Sequence, residues 1–345
     1  MAAFGLLIGP SLAAEPAPPD DIDTVLVIGE QPGPGLWKVS KGDHVMWVLA
    51  SYAPLPKGMT WRSKQIEARI GESQEVLYPP NVNIGTDIGL LRGITLIPAA
   101  LKAGKIPDGK KLKDVLIPET YGKWLVLRQK YMGKDDDAEK WRPAIALEQL
   151  RGAAFRKNSL QGGVAVRAVV DRAAKKQKVR IHQLPTIKRV LKVEDPRGML
   201  KSAKKLEFPD IDCFTRNLDK VEADVERVKS LANAWSRGDI EKLRGLHRNR
   251  PIKEALNDSC TYVLMAAFNE GESKDAAHAK KMLDNILWHA EQAIYQAQLD
   301  WLAAAQVALA KNKSTFTVLS VAEVFSPGGS LEKLRALGYT VEEPL

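Results

Sequence analysis

The sequence predicts an α/β protein in which short strands near both ends of the chain enclose a large helical portion, from roughly Leu112 to Ala310. Three observations carry that prediction. The run His44-Val45-Met46-Trp47-Val48-Leu49-Ala50 is largely apolar and bounded by turn residues, the pattern of a strand covered on both faces. Neither proline nor glycine falls between Glu272 and Ser326, and Asp275 to Ala310 is rich in Ala, Leu, Gln and Lys, which predicts one long helix or two nearly collinear ones. The chain then closes as strand, helix, strand: Thr315–Ala322 alternates, Ser330 caps a helix to Leu337, Gly338 terminates it, and Tyr339–Glu342 returns.

The remaining elements follow in order. Thr24–Ile28 and Leu36–Val39 read as strands around Pro32-Gly33-Pro34-Gly35, and Lys41-Gly42-Asp43 is a hairpin turn into the apolar run. Trp61–Ile70 has helical spacing, and Glu75–Tyr78 before Pro79-Pro80 reads as a strand. Pro118 and Pro143 open helices over Glu119–Tyr131 and Ala144–Phe155, because the first helical N–H needs no partner. Val164–Lys176 is a helix, Val179–Leu184 a strand, and the helix from Asp219 buries Val221, Val225, Val228, Ala232 and Trp235 before Gly238 ends it. In the long helix, Leu283, Ile286, Leu287, Ala290, Ile294, Ala297 and Trp301 form the expected buried stripe.

At 345 residues and 45% hydrophobic composition, one core without an independent second one is expected. No apolar run is long enough to span a bilayer. Residues 1–13 read as a signal peptide: an apolar stretch closing on Ser11-Leu12-Ala13, although without the Lys or Arg that usually opens one. Residues 14–34 form a proline-rich linker and extension, and 35–345 a single domain. Export to the periplasm or beyond suits the two cysteines, Cys213 and Cys260, which are expected to pair; two unrelated buried thiols are the alternative.

The formal charge of +9 comes with lysine and arginine clusters at Lys102, Lys105, Lys110, Lys111 and Lys113, and again at Arg172, Lys175, Lys176, Lys178 and Arg180. Neither contains an aromatic residue for base stacking, which argues against nucleic acid and leaves acidic polysaccharide as a partner for the basic faces. None of the five histidines (His44, His182, His247, His278, His289) has the three-to-five-residue spacing of a helical metal site. There is no G-x-S-x-G elbow, P-loop or G-x-G-x-x-G, and Asp135-Asp136-Asp137 reads as a solvated turn, since a Ca²⁺ loop spaces its ligands alternately.

The segment Trp47-Val48-Leu49-Ala50-Ser51-Tyr52-Ala53-Pro54-Leu55-Pro56 resembles the opening of the TraB/GumN family, where a strand ends in Gly-x-x-His followed by proline. Here the glycine is Ala50 and the histidine Ala53. The close, Thr315–Leu319, Gly328-Gly329 and Leu331–Glu342, resembles the family's terminal strand, helix and strand, with the second Gly-x-x-His falling on Ser320-Val321-Ala322-Glu323. The acidic residue that ends the family's next core strand falls near Tyr78. The resemblance implies a central mixed sheet flanked by helices, as in TIKI-like, ChaN-like and erythromycin-esterase-like folds, and metal-dependent peptidase or hydrolase chemistry. That chemistry is then in doubt, because a methyl group at Ala53 can neither ligate nor transfer a proton.

Two functional expectations follow. The first is a catalytically degenerate, exported binding or accessory protein of the cell envelope, holding a peptide, glycan or protein partner, without a cofactor, in a cleft lined by Trp47, Tyr52, Tyr78 and Glu323. The alternative is a divergent hydrolase in which Glu323 and other carboxylates use a divalent metal.

Overall fold

The computed structural model describes residues 29–134, 136–160, 166–193, 195–203, 210–246, 260 and 274–344. The expected leader, most of the linker, strand Thr24–Ile28, Asp135 and His247 lie outside the described residues. The architecture is mixed α/β, as the sequence predicts.

Its centre is a six-stranded sheet. Across the sheet run β10 (Thr340–Glu342), β2 (Leu36–Lys41), β3 (His44–Ser51), β9 (Ser314–Ser320), β5 (Glu75–Tyr78) and β7 (Arg180–Gln183). The hairpin between β2 and β3 turns through Gly42 at φ 61°, a left-handed conformation that glycine adopts without a Cβ clash. β3, β9, β5 and β7 are parallel, so their carboxyl ends form one edge. Two small parallel pairs stand apart from this sheet: β1 (Gly29–Gln31) with β4 (Met59–Trp61), and β6 (Val82–Thr86) with β8 (Ile187–Leu191).

Register decides which residues share a face, because side chains alternate along a strand. Trp47 pairs with Phe316, which pairs with Val76; that face meets α1 (Lys64–Gly71), whose Arg69 guanidinium lies 4.4 Å over the Trp47 ring. α6 (Val166–Lys176) packs beside α1 on the same side. Val48, Thr317 and Leu77 line the opposite face, covered by α11 (Lys274–Lys311), whose Trp301 indole donates to the Thr317 hydroxyl at 3.2 Å. Thr317 in turn donates to the Leu77 carbonyl at 2.8 Å, so this buried polar chain is satisfied at every step.

The helical region is larger and more independent than expected. α3 (Leu112–Val115), α4 (Pro118–Tyr131), α5 (Pro143–Lys157) and α8 (Ile211–Leu218) surround a second buried cluster built on Trp124, Leu147, Phe214 and the Cys213–Cys260 disulfide. The expectation of one core is therefore corrected to two, joined along α9 (Val221–Arg237). Its Val221, Val225 and Val228 belong to the helical cluster, while Leu231, Ala232 and Trp235 belong to the sheet core. Gly238 ends α9 at φ 73°, and α10 (Ile240–Leu246) packs back on it.

Three further departures bear on function. Of the stripe expected along α11, only Trp301 is buried among the described residues and Ile294 is 43% exposed; the helix instead buries Ala293, Ala305, Ala308 and Leu309. The strand expected through Ala322 stops at Ser320, where α12 (Val321–Phe325) begins and α13 (Ser330–Ala336) follows. Finally, α2 (Leu90–Ala103), unforeseen in the sequence, packs on α7 (Pro196–Ala203) beside the β6–β8 pair.

Candidate functional site

The carboxyl edge of parallel strands is where α/β sheets ordinarily bind ligands. β3 and β9 reach that edge together, with Ser51 opposite Ser320. The two motif positions thus follow neighbouring strand ends, Ala53 two residues beyond the end of β3 and Glu323 three beyond the end of β9.

The β9 side is a network. Ser320 caps α12, its hydroxyl accepting from the Glu323 N–H at 3.1 Å. The Glu323 carboxylate accepts from the Ser330 hydroxyl at 2.5 Å and from the Gln298 amide at 3.2 Å. Gln298 also donates to the Gly328 carbonyl at 3.1 Å, and its own carbonyl accepts from Lys333. Gly329 makes this closeness possible: a Cβ there would stand 2.5 Å from the Glu323 carbonyl oxygen and 2.7 Å from that of Ser326. The Ser320-x-x-Glu323 spacing is also that of a helix start, the signal that would have ended the strand at Ser320 instead of Ala322.

Glu323, Gln298 and Ile294 border two adjoining hollows. One, of about 180 Å³, is closed by Pro79, Pro80, Trp301 and Leu319; the other, about 290 Å³ and more open, by Tyr295, Pro327 and Gly328. Lys333 lies 5.3 Å over the Tyr295 ring at the second hollow. The two hollows share Ile294, Gln298 and Glu323, and both are lined mainly by apolar surface.

The β3 side holds no comparable chemistry. Ala53 is exposed and joined to Pro54 by a cis peptide, and the Ala50 carbonyl accepts from the Trp235 indole at 2.6 Å. Burial pushes the Tyr52 phenol up to about 12, with Arg227 opposing the shift. Trp47 lies in mid-strand on the opposite face from Glu323. Tyr78 also faces away, donating to Asp171 of α6 at 2.8 Å beneath the Arg167 guanidinium, and burial followed by the Asp171 bond raises its pKa well above the ordinary phenol range. Of the four residues expected to line one cleft, only Glu323 lines these hollows; sequence parity already separates Trp47 from Ala50, three positions apart on a strand. Gln298 and Lys333 gave no sequence signal because they come from two separate helices; Ser330, expected to cap its helix, instead follows the N-cap Gly329 and turns its hydroxyl to Glu323.

The cation implied by the resemblance needs several converging donors. Among the described residues, no three His, Cys, Asp or Glu side chains gather as a metal site. His44 bonds the Asn312 carbonyl at 2.7 Å, and His182 sits 3.5 Å from Glu75; neither lines the cleft. The residues present at Glu323 do not fit a divalent metal. Asp136 and Asp137 form ion pairs with Arg128 and Lys140, which matches the solvated-turn reading.

No curated protein and no solved structure matches the chain. One family model does, over residues 35–343, which takes in the hairpin, both strand ends, the cleft and the final strand. The chain belongs to the TraB/PrgY/gumN family.

Proposed function

We propose that this protein is an exported, non-catalytic member of its family that uses the cleft beside Glu323 to hold a short peptide segment of an envelope partner. The observation that carries the reading is the state of the Glu323 carboxylate, which accepts from Ser330 and Gln298 and braces two helices rather than converging with other ligands. Ala53 contributes only a methyl group. The smaller hollow, lined by Trp301, Leu319, Pro79 and Pro80, suits an aliphatic side chain; the more open one, which carries the Glu291 and Glu323 carboxylates, suits peptide N–H groups or a basic side chain. Export is supported by the Cys213–Cys260 bridge, a bond that persists in oxidising compartments.

Purified protein should contain less than stoichiometric metal by elemental analysis and should not turn over a broad peptide and ester library. It should retain individual peptides from that library, and Gln298→Ala should weaken retention. Turnover that disappears in Glu323→Ala, together with a bound divalent ion, would instead establish the hydrolase reading.

A further inference from the structure

α2 is a surface helix whose apolar stripe faces outward. Leu90, Ile94, Ile97 and Leu101 are 81%, 54%, 52% and 51% exposed. At 100° per residue they fall within about 60° of arc, a continuous ridge roughly 17 Å long. Leu91, also 81% exposed, widens it, while Leu96 and Ala103 on the other side are buried. The helix is thus correctly anchored by its inner face, and its outer face still has no cover within the described chain.

The surroundings are cationic. Arg92, Lys102, Lys192, Arg197 and Lys201 are exposed on α2, on α7 and just after β8. Among the described residues, the carboxylates here are Asp87, which accepts from the Val193 N–H at 2.9 Å, and Asp195, which accepts from the Gly198 N–H at 2.9 Å; they offset part of that charge and leave the cations in excess. An outward Leu/Ile ridge flanked by Lys102, with further cations on α7 and just after β8, suits a helix that lies in the headgroup layer of an anionic bilayer, its apolar side chains in the acyl boundary and the lysines and arginines near phosphate. Fourteen residues are too few to span the hydrocarbon, so the helix would lie in the plane. A second copy is the poorer occupant, because it would press one basic rim against another on a chain already carrying +9.

We propose that α2 is a membrane-surface anchor that docks this protein reversibly on anionic lipid. The test is co-sedimentation of the full chain with vesicles of phosphatidylcholine alone and of phosphatidylcholine with about a third phosphatidylglycerol. Binding should favour the anionic vesicles at least tenfold and weaken severalfold at about 1 M salt, where screening acts within about 3 Å. Ile94→Ser with Ile97→Ser should lower binding at least tenfold without changing the circular dichroism melt, since both side chains are solvent-facing. Absence of binding to either vesicle, or binding indifferent to that pair of substitutions, overturns the proposal. So does a wild-type dimer that the same pair dissociates in the absence of vesicle binding, which would assign the ridge to a second copy.

Discussion

The ends of β3 and β9 are neighbours in register, yet one motif position holds an exposed methyl group and the other a carboxylate tied into two helices. The difference teaches that two neighbouring strand ends can be tied to the fold to very different degrees. At Ala53 the side chain offers no polar group, and little local structure depends on what stands there. At Glu323 a different polar group occupies the place and is integrated into the fold, so its removal has a structural cost.

The comparison is broken most severely at Gly329. Gly329→Ala drives a Cβ against two backbone oxygens and should destabilise by about 3 kcal/mol, measured by urea unfolding. Glu323→Ala should cost about 2 kcal/mol by leaving the buried Ser330 hydroxyl without its acceptor, and Glu323→Gln should recover much of that through its remaining carbonyl. A Gln variant as unstable as the Ala variant would show that charge, and not the acceptor, matters at the β9 end.

On the β3 side the titrating group is Tyr52. Its folded pKa is raised to about 12, so its contribution is full below the unfolded phenol value near 10 and lost as pH rises to about 12. Tyr52→Phe should remove roughly 1 kcal/mol of stability loss from that alkaline window, read from denaturation midpoints at pH 9 and above. The smallest effect belongs to Ala53→Ser, within about 0.5 kcal/mol, because the side chain is exposed. A larger loss would mean that the β3 end also bears structural load.

Much of the sheet was legible because its strands carry strong local signals: the apolar run of β3, the Gly42 turn, Pro118 and Pro143 at helix starts, Gly238 at a helix end. β6 and β8 were not, since Val82–Thr86 contains Gly85 and Ile187–Leu191 alternates with Lys188 and Arg189, and their pairing is fixed by contacts distant in sequence. α2 escaped notice because Gly93 and Pro98 interrupt its pattern and its strongest apolar residues point outward. The candidate site was half legible: residue identity located both strand ends, but Gln298, Ser330 and Lys333 meet only after α11 crosses the sheet and α13 turns back toward it. The second core depends on how α4, α5 and α8 converge, which spacing within each helix does not specify.

α9 is a single rod of 17 residues, about 25 Å long, embedded by one half in each hydrophobic cluster. A rod gripped at both ends transmits displacement. Tilting the helical lobe would pull the Trp235 indole from the Ala50 carbonyl, at the very brink of β3. Heating should accordingly yield one calorimetric peak, with the two lobes losing order together despite their separate interiors.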